Sequence, residues 1–237
     1  MKKTFTLLTL LFASLTLCTA QNIQLHYDFG RNIYTGEEAG RAKVTVTLEQ
    51  FKADQWGSWF YFVDVDMSSH FTESAYAEIS REFNLGKQSP FAAHIEYDGG
   101  LSRTMSFQQA ALAGVAYNGH NSDFSKTWSV QLLYKQYFKS YDYTHSYASA
   151  QLTGVWGLNF FDKKLTCSGF IDFWRGEKAD GHGCLVILSE PQLWYNFTPH
   201  FSIGTEWEFS SNFVFNEDPT SDKTFFLNPT LAVKWNF

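Results

Sequence analysis

The stretch Asn228-Pro-Thr-Leu-Ala-Val-Lys-Trp-Asn-Phe237 alternates along its length. Thr230, Ala232, Lys234 and Asn236 share one face of a strand. Leu231, Val233, Trp235 and Phe237 share the other, because successive side chains of a strand point to opposite sides. In a soluble domain this would be a half-buried edge strand with a terminus free to fray. In an outer-membrane barrel it is the closing strand, with its apolar face on lipid and its last aromatics in the interfacial girdle. The other strands decide between the two.

Working back from it, segments of period two recur through the chain, separated by turn residues. The first two are Ile23 to Phe29 and Lys43 to Glu49. Trp59 to Asp66, Tyr76 to Leu85 and Phe91 to Asp98 follow. Then come Gln108 to Tyr117, Thr127 to Tyr137, Tyr147 to Leu158, Thr166 to Trp174, Leu185 to Asn196, Phe201 to Ser211 and Phe226 to Phe237. The series predicts an all-β fold, a transmembrane antiparallel β-barrel of about twelve strands with both termini periplasmic. Its outer connections are expected at Arg31–Arg41, Ser68–Glu73, Gly99–Phe107, Lys139–Thr144, Arg175–Gly183 and Asn212–Phe225. The inner ones, mostly shorter, are Asp54–Gly57, Gly86–Pro90, Asn118–Lys126, Asn159–Leu165 and Thr198–His200. A secreted β-sandwich is the competing architecture. It would bury an aliphatic face, whereas these apolar faces carry Trp, Tyr and Phe near strand ends.

Composition agrees. Aromatics make up 19% of the chain, yet mean hydropathy is below zero. That suits a wall with aromatic girdles outside and polar residues inside. The net charge of −6 and the lack of a basic patch exclude a nucleic-acid polymer as partner. Residues 1–20 read as a signal peptide: Lys2 and Lys3, then the apolar run Leu7 to Leu17, then small residues before Gln21. Residues 21–237 are the barrel, exported to a Gram-negative type of outer membrane. Cys167 and Cys184 fall at the base and tip of one hairpin, a register that separates them and disfavours a disulfide.

Alternation also assigns the lumen. If Asp64 and Asp66 avoid lipid, Phe60 and Phe62 point inward with them, where a flat ring can stack on their faces. Packing against a plug or loop is the plainer reason for them. Glu78, Ser80 and Glu82 share an inward face, as do His94, Glu96 and Asp98. Phe170, Asp172 and Trp174 follow, then Glu190, Gln192, Trp194 and Asn196, and Glu206 and Glu208. Lys135 and Lys234 are the inward cations. A lumen biased to carboxylates favours cations or neutral polar solutes over anions. Arg81 falls on the lipid side and is expected near the periplasmic girdle, where it can snorkel. No catalytic set, phosphate loop, metal-ligand spacing or cofactor motif is present in the sequence.

Trp56-Gly-Ser-Trp-Phe-Tyr-Phe-Val-Asp-Val65, followed by Ala77-Glu-Ile-Ser-Arg-Glu-Phe-Asn-Leu-Gly-Lys87, resembles conserved blocks of the nucleoside-specific channel-forming porins, the Tsx family. Ser168-Gly-Phe-Ile-Asp-Phe-Trp174, Glu190-Pro-Gln-Leu193, Ile203-Gly-Thr-Glu-Trp207 with Asn212, and Val233-Lys-Trp-Asn-Phe237 follow in the same order as that family's later blocks. The resemblance implies a monomeric twelve-stranded barrel that passes nucleosides. On matching positions it implies Phe60 and Phe62 against the base, and Asp64, Glu78 and Asp172 toward the sugar. The chain departs from the pattern at Arg81-Glu82, where the family has Pro-Arg, so an inward Arg becomes an inward Glu. Leu25 to Gly30 matches only loosely. The candidate substrate-binding set is Phe60, Phe62, Asp64, Glu78, Glu82, His94, Asp172, Trp174, Gln192 and Glu206. The function expected is passive uptake of nucleosides or similar small polar ring compounds. The alternative is a closed barrel with a surface-binding or structural role.

Overall fold

The computed structural model describes residues 21–68, 72–103, 106–141, 144–178 and 181–237. The expected signal at 1–20 lies outside these residues, as do parts of four expected outer connections. Period-two alternation becomes strand throughout: β1 (Gln21–Asp28), β2 (Val44–Asp54), β3 (Gly57–Met67), β4 (Thr72–Asn84), β5 (Phe91–Ser102), β6 (Ala110–His120), β7 (Lys126–Tyr137), β8 (Tyr147–Phe160), β9 (Leu165–Glu177), β10 (Gly183–Ser189), β11 (Gln192–Asn196), β12 (Phe201–Ser211) and β13 (Phe225–Asn236). A short helix, α1 (Gly30–Ile33), follows β1. Each neighbour pair is antiparallel. β13 pairs with both β12 and β1, so the sheet closes and leaves no edge.

β10 and β11 are two halves of one staff of the barrel. Both pair with β9 on one side and β12 on the other, so the barrel has twelve staves. The expected continuous tenth strand is broken at Glu190-Pro191 because proline has no N–H for the ladder. Gly169 makes the break possible from β9. It sits at φ 149°, and a Cβ there would lie 2.5 Å from the Glu190 carbonyl oxygen. The expected long inner connection at Asn118–Lys126 is also corrected. β6 runs on to His120 and β7 starts at Lys126, which leaves a tight turn closed by Asn121 N–H donating to the Lys126 carbonyl at 3.0 Å.

Two faces separate as alternation requires. Leu231, Val233, Trp235 and Phe237 are exposed on the outside, while Ala232 and Thr230 are buried inside. Trp56, Trp59, Phe83, Phe91, Tyr117, Trp128, Tyr195, Phe197 and Trp235 stand exposed beside the turns at the end that carries both termini. They form one aromatic girdle, the interface signature of a barrel in lipid. Arg81 lies in that girdle on the outer face. Its guanidinium stacks on Trp59 and Phe83, 4.9 and 5.0 Å from the ring centroids. It also pairs with Asp54 at 2.9 Å beside the β2–β3 turn. The charge thus reaches the rim instead of the hydrocarbon. Among the described residues no helix is long and apolar enough to cross a membrane. Cys167 and Cys184 are free. Cys184 pairs across to Gly176 and Cys167 to Leu193, so the register separates them as expected.

Candidate functional site

Register brings Phe60, Phe62, Asp64 and Glu78 together. Phe62 lies directly across from Glu78, and Asp64 from Tyr76. Phe60, Phe62, Tyr76 and Phe107 form a continuous run of rings with centroids 6.0–6.1 Å apart. This aromatic stair climbs the β3–β4 wall toward the end away from the termini. Tyr76 was absent from the expected set. Its parity with Glu78 is the signal that could have found it.

The carboxylates beside the stair are held against the wall by cross-strand hydroxyls. Thr47 of β2 donates to Asp64 at 2.5 Å, and across the lumen from the stair Thr153 of β8 donates to Asp172 of β9 at 2.5 Å. Asp66 accepts from both Thr45 and Ser74, at 2.7 and 2.6 Å. Along β4 itself, Tyr76 donates to Glu78 at 2.9 Å. A fixed carboxylate is a pure acceptor with lone pairs to spare, so this wall is preorganised for a solute that brings hydroxyl, amine or amide donors.

The other expected residues fall into two further groups. Glu82 and His94 belong to a network nearer the termini. His94 lies 3.4 Å from Glu82 and 3.1 Å from Glu96, and Asn118 donates to Glu82 at 2.7 Å. These groups satisfy one another, so they brace the wall. On the far wall Gln192 donates to Glu206 at 2.6 Å and accepts from the Trp194 indole at 2.8 Å. The Lys234 ammonium sits 3.8 Å over the Trp194 ring. Trp174 packs with Val186 and Leu188, and its ring meets Phe213 edge-on at 6.0 Å. Lys135 lies 4.9 Å over its face. Trp174 is therefore a packed wall residue as well as a lumenal one.

The sequence reading missed the outer mouth. The connection between β1 and β2 turns inward and anchors on lumen-facing groups. Arg41 lies 3.0 Å from Asp28 of β1, 3.0 Å from Glu208 of β12 and 3.2 Å from Glu38. Asn228 of β13 donates to Glu38 at 2.9 Å and to Glu208 at 3.0 Å. Glu38 is buried, and that burial raises its carboxyl above the ordinary range against the pull of Arg41. The β12–β13 connection clasps the first from above. Gly40 N–H donates to both oxygens of Glu217, at 3.0 and 3.1 Å. Lys223 pairs with Glu37 at 2.7 Å. That contact holds the Glu37 carboxyl below the usual range and raises Lys223. A cleft of about 410 Å³ on the same inner loop is lined by Arg31, Asn32, Thr35, Ala39 and Lys43. It touches none of the aromatic stair.

A family model described as "Domain of unknown function (DUF5020)" matches residues 20–237. The chain belongs to that family. The matching model of DUF5020 is not that of the nucleoside-specific porins whose motif order the chain resembles. No curated protein is significantly similar in sequence. Among solved structures, the NanC porin is similar with a TM-score of 0.60 at 11% identity, covering 92% of this chain and 100% of that one. The KdgM porin is similar with a TM-score of 0.52 at 11% identity, covering 92% of this chain and 99% of that one. The same porin in complex with disordered oligogalacturonate gives 0.50 at 11% identity, over 92% and 99% of the two chains. The DUF5020 chain therefore has the fold of outer-membrane porins.

Proposed function

We propose that this DUF5020 protein is an outer-membrane channel, exported by a signal peptide cleaved after residue 20. It passes small neutral or cationic polar ring compounds by diffusion, nucleosides among them. The observation that carries the reading is the stair of Phe60, Phe62 and Tyr76 with Asp64 and Glu78 fixed beside it. A base or similar ring lies flat on the aromatic faces, and stacking of that kind is worth about 1–3 kcal/mol per base. Sugar hydroxyls donate to Asp64, Glu78 and Asp172. Carboxylates outnumber cations along the described lumen wall, so anionic solutes are repelled. The oligogalacturonate of the KdgM complex is a chain of acids, and this lumen is unsuited to such a ligand. Closure of β1 on β13 completes the barrel within one chain, and the proposed channel acts as a monomer.

Liposome swelling with the purified barrel tests the selectivity. Nucleosides should enter faster than sugars of matched size, and equal rates would remove the claim. The inward-folded outer loop favours a second reading, a barrel shut at its mouth that serves as a surface-binding or structural protein. Single-channel recordings without any opening would support it.

A further inference from the structure

We propose that Glu78, Glu96 and Asp98 form a divalent-cation site on the lumen wall, suited to Ca²⁺. Each offers one carboxylate oxygen, and these oxygens all lie within 4.8 Å of one another. The register makes the group: Glu78 of β4 pairs directly with Asp98 of β5, and Glu96 follows on the same face of β5. Acidic clusters are ordinary in a cation-preferring lumen, and Asp98 sets this one apart. It is only 4% exposed. One of its oxygens, Oδ2, lies 3.2 Å from the Lys135 ammonium. The other, Oδ1, is buried and has no hydrogen-bond partner. A buried carboxylate oxygen with no donor is costly to keep, and a bound cation removes that cost.

The surrounding groups hold the acids in place. Tyr76 donates to Glu78, and His94 lies 3.1 Å from Glu96. Lys135 of β7 and Asp172 of β9 complete the electrostatic surroundings. One ammonium thus faces four carboxylates, which leaves the group net negative. Ca²⁺ takes oxygens at about 2.3–2.6 Å, so two ligands on its sphere can stand about 4.6–5.2 Å apart, whereas Mg²⁺ at about 2.0–2.1 Å requires a tighter set. The trio's oxygens, within 4.8 Å of one another, need only a small inward adjustment to ligate Ca²⁺ and a larger one to ligate Mg²⁺. Asp98, Glu96 and Glu78 come from two strands, so no sequence motif announces the site. The site does not depend on conduction, and its failure would leave the channel reading untouched.

The test is calorimetric titration of the assembled barrel in detergent with Ca²⁺ alone, at neutral pH. One saturable Ca²⁺ per barrel is expected. Asp98→Asn and Glu96→Gln should each weaken it about ten-fold or more. Lys135→Gln, which removes the competing ammonium, should strengthen it. Heat-modifiable gel migration establishes that each variant is assembled. If Asp98→Asn does not assemble, Glu96→Gln and Lys135→Gln carry the comparison. A wild-type barrel that takes up no Ca²⁺ would mean that a proton shared between Asp98 and Glu96 fills the gap. That result, or uptake unchanged by the substitutions, would overturn the proposal.

Discussion

Replacing Arg41 with Gln should release the inner loop from the mouth. Arg41 is the cation that ties residues 29–43 to β1 and β12, with Asp28 and Glu208 each 3.0 Å away, and it also meets Glu38 of the same loop at 3.2 Å. Its removal leaves three carboxylates facing one another. Breaking a buried ion pair from one side costs about 3–5 kcal/mol. The Arg41 side chain is 22% exposed, and water on that side lowers the figure to about 2–3 kcal/mol. The docked population of the loop should then fall roughly 30- to 150-fold relative to the open one. Trypsin reads this in the assembled barrel through cleavage after Arg31 and Lys43, because cleavage follows the open population when opening is fast. Cleavage of the variant should rise by at least roughly 30-fold, and the mean conductance should rise with it. A correctly assembled variant cut within about two-fold of the wild-type rate would refute the reasoning, since it would mean that the β12–β13 clasp or backbone packing holds the loop.

Phe60→Ala and Phe62→Ala should each weaken nucleoside block of single-channel current, by about 5- to 150-fold if a ring stacks there; unchanged block would take them out of the path. Deleting Phe237 removes the N–H that donates to Gln21 at the β1–β13 seam, at 3.0 Å, so assembly should slow while solute choice stays the same. Heat-modifiable migration during refolding measures the first, and liposome swelling the second. Mouth opening should depend on pH through Glu38. Burial raises its carboxyl in the docked loop, so the docked state binds a proton more tightly than the released one. Docking is therefore strongest at acid pH and weakens as pH rises from the ordinary carboxylate value through the raised one. Fewer openings are expected at pH 5 than at pH 7.5, and Glu38→Gln should flatten the difference.

Alternation made the barrel legible. Once Asp64 was placed inside, Phe60 and Phe62 followed by parity, and on the other strands the polar face, with Glu78, Asp98, Asp172, Glu206 and Lys234, marked the inner side. Register was not legible, because period two is blind to which residues stand opposite. The Thr47–Asp64 and Thr153–Asp172 clamps, the Glu82–His94 brace and the Glu78–Asp98 contact all depend on it. Glu190-Pro191 looked like part of a continuous strand because its parity is unbroken; the break lies in the missing proline N–H. The inward loop was hidden for another reason. Arg41 meets Asp28 and Glu208 only after β1 and β12 are brought to either side of β13, a closure that local pattern does not encode.

An open lumen that prefers neutral or cationic ring compounds can be read in planar-bilayer recording under a salt gradient. Discrete openings are expected, with a reversal potential of the cation-selective sign and current that nucleosides reduce in a saturable way. A reversal potential of the anion-selective sign, or a barrel that inserts and never opens, would contradict it.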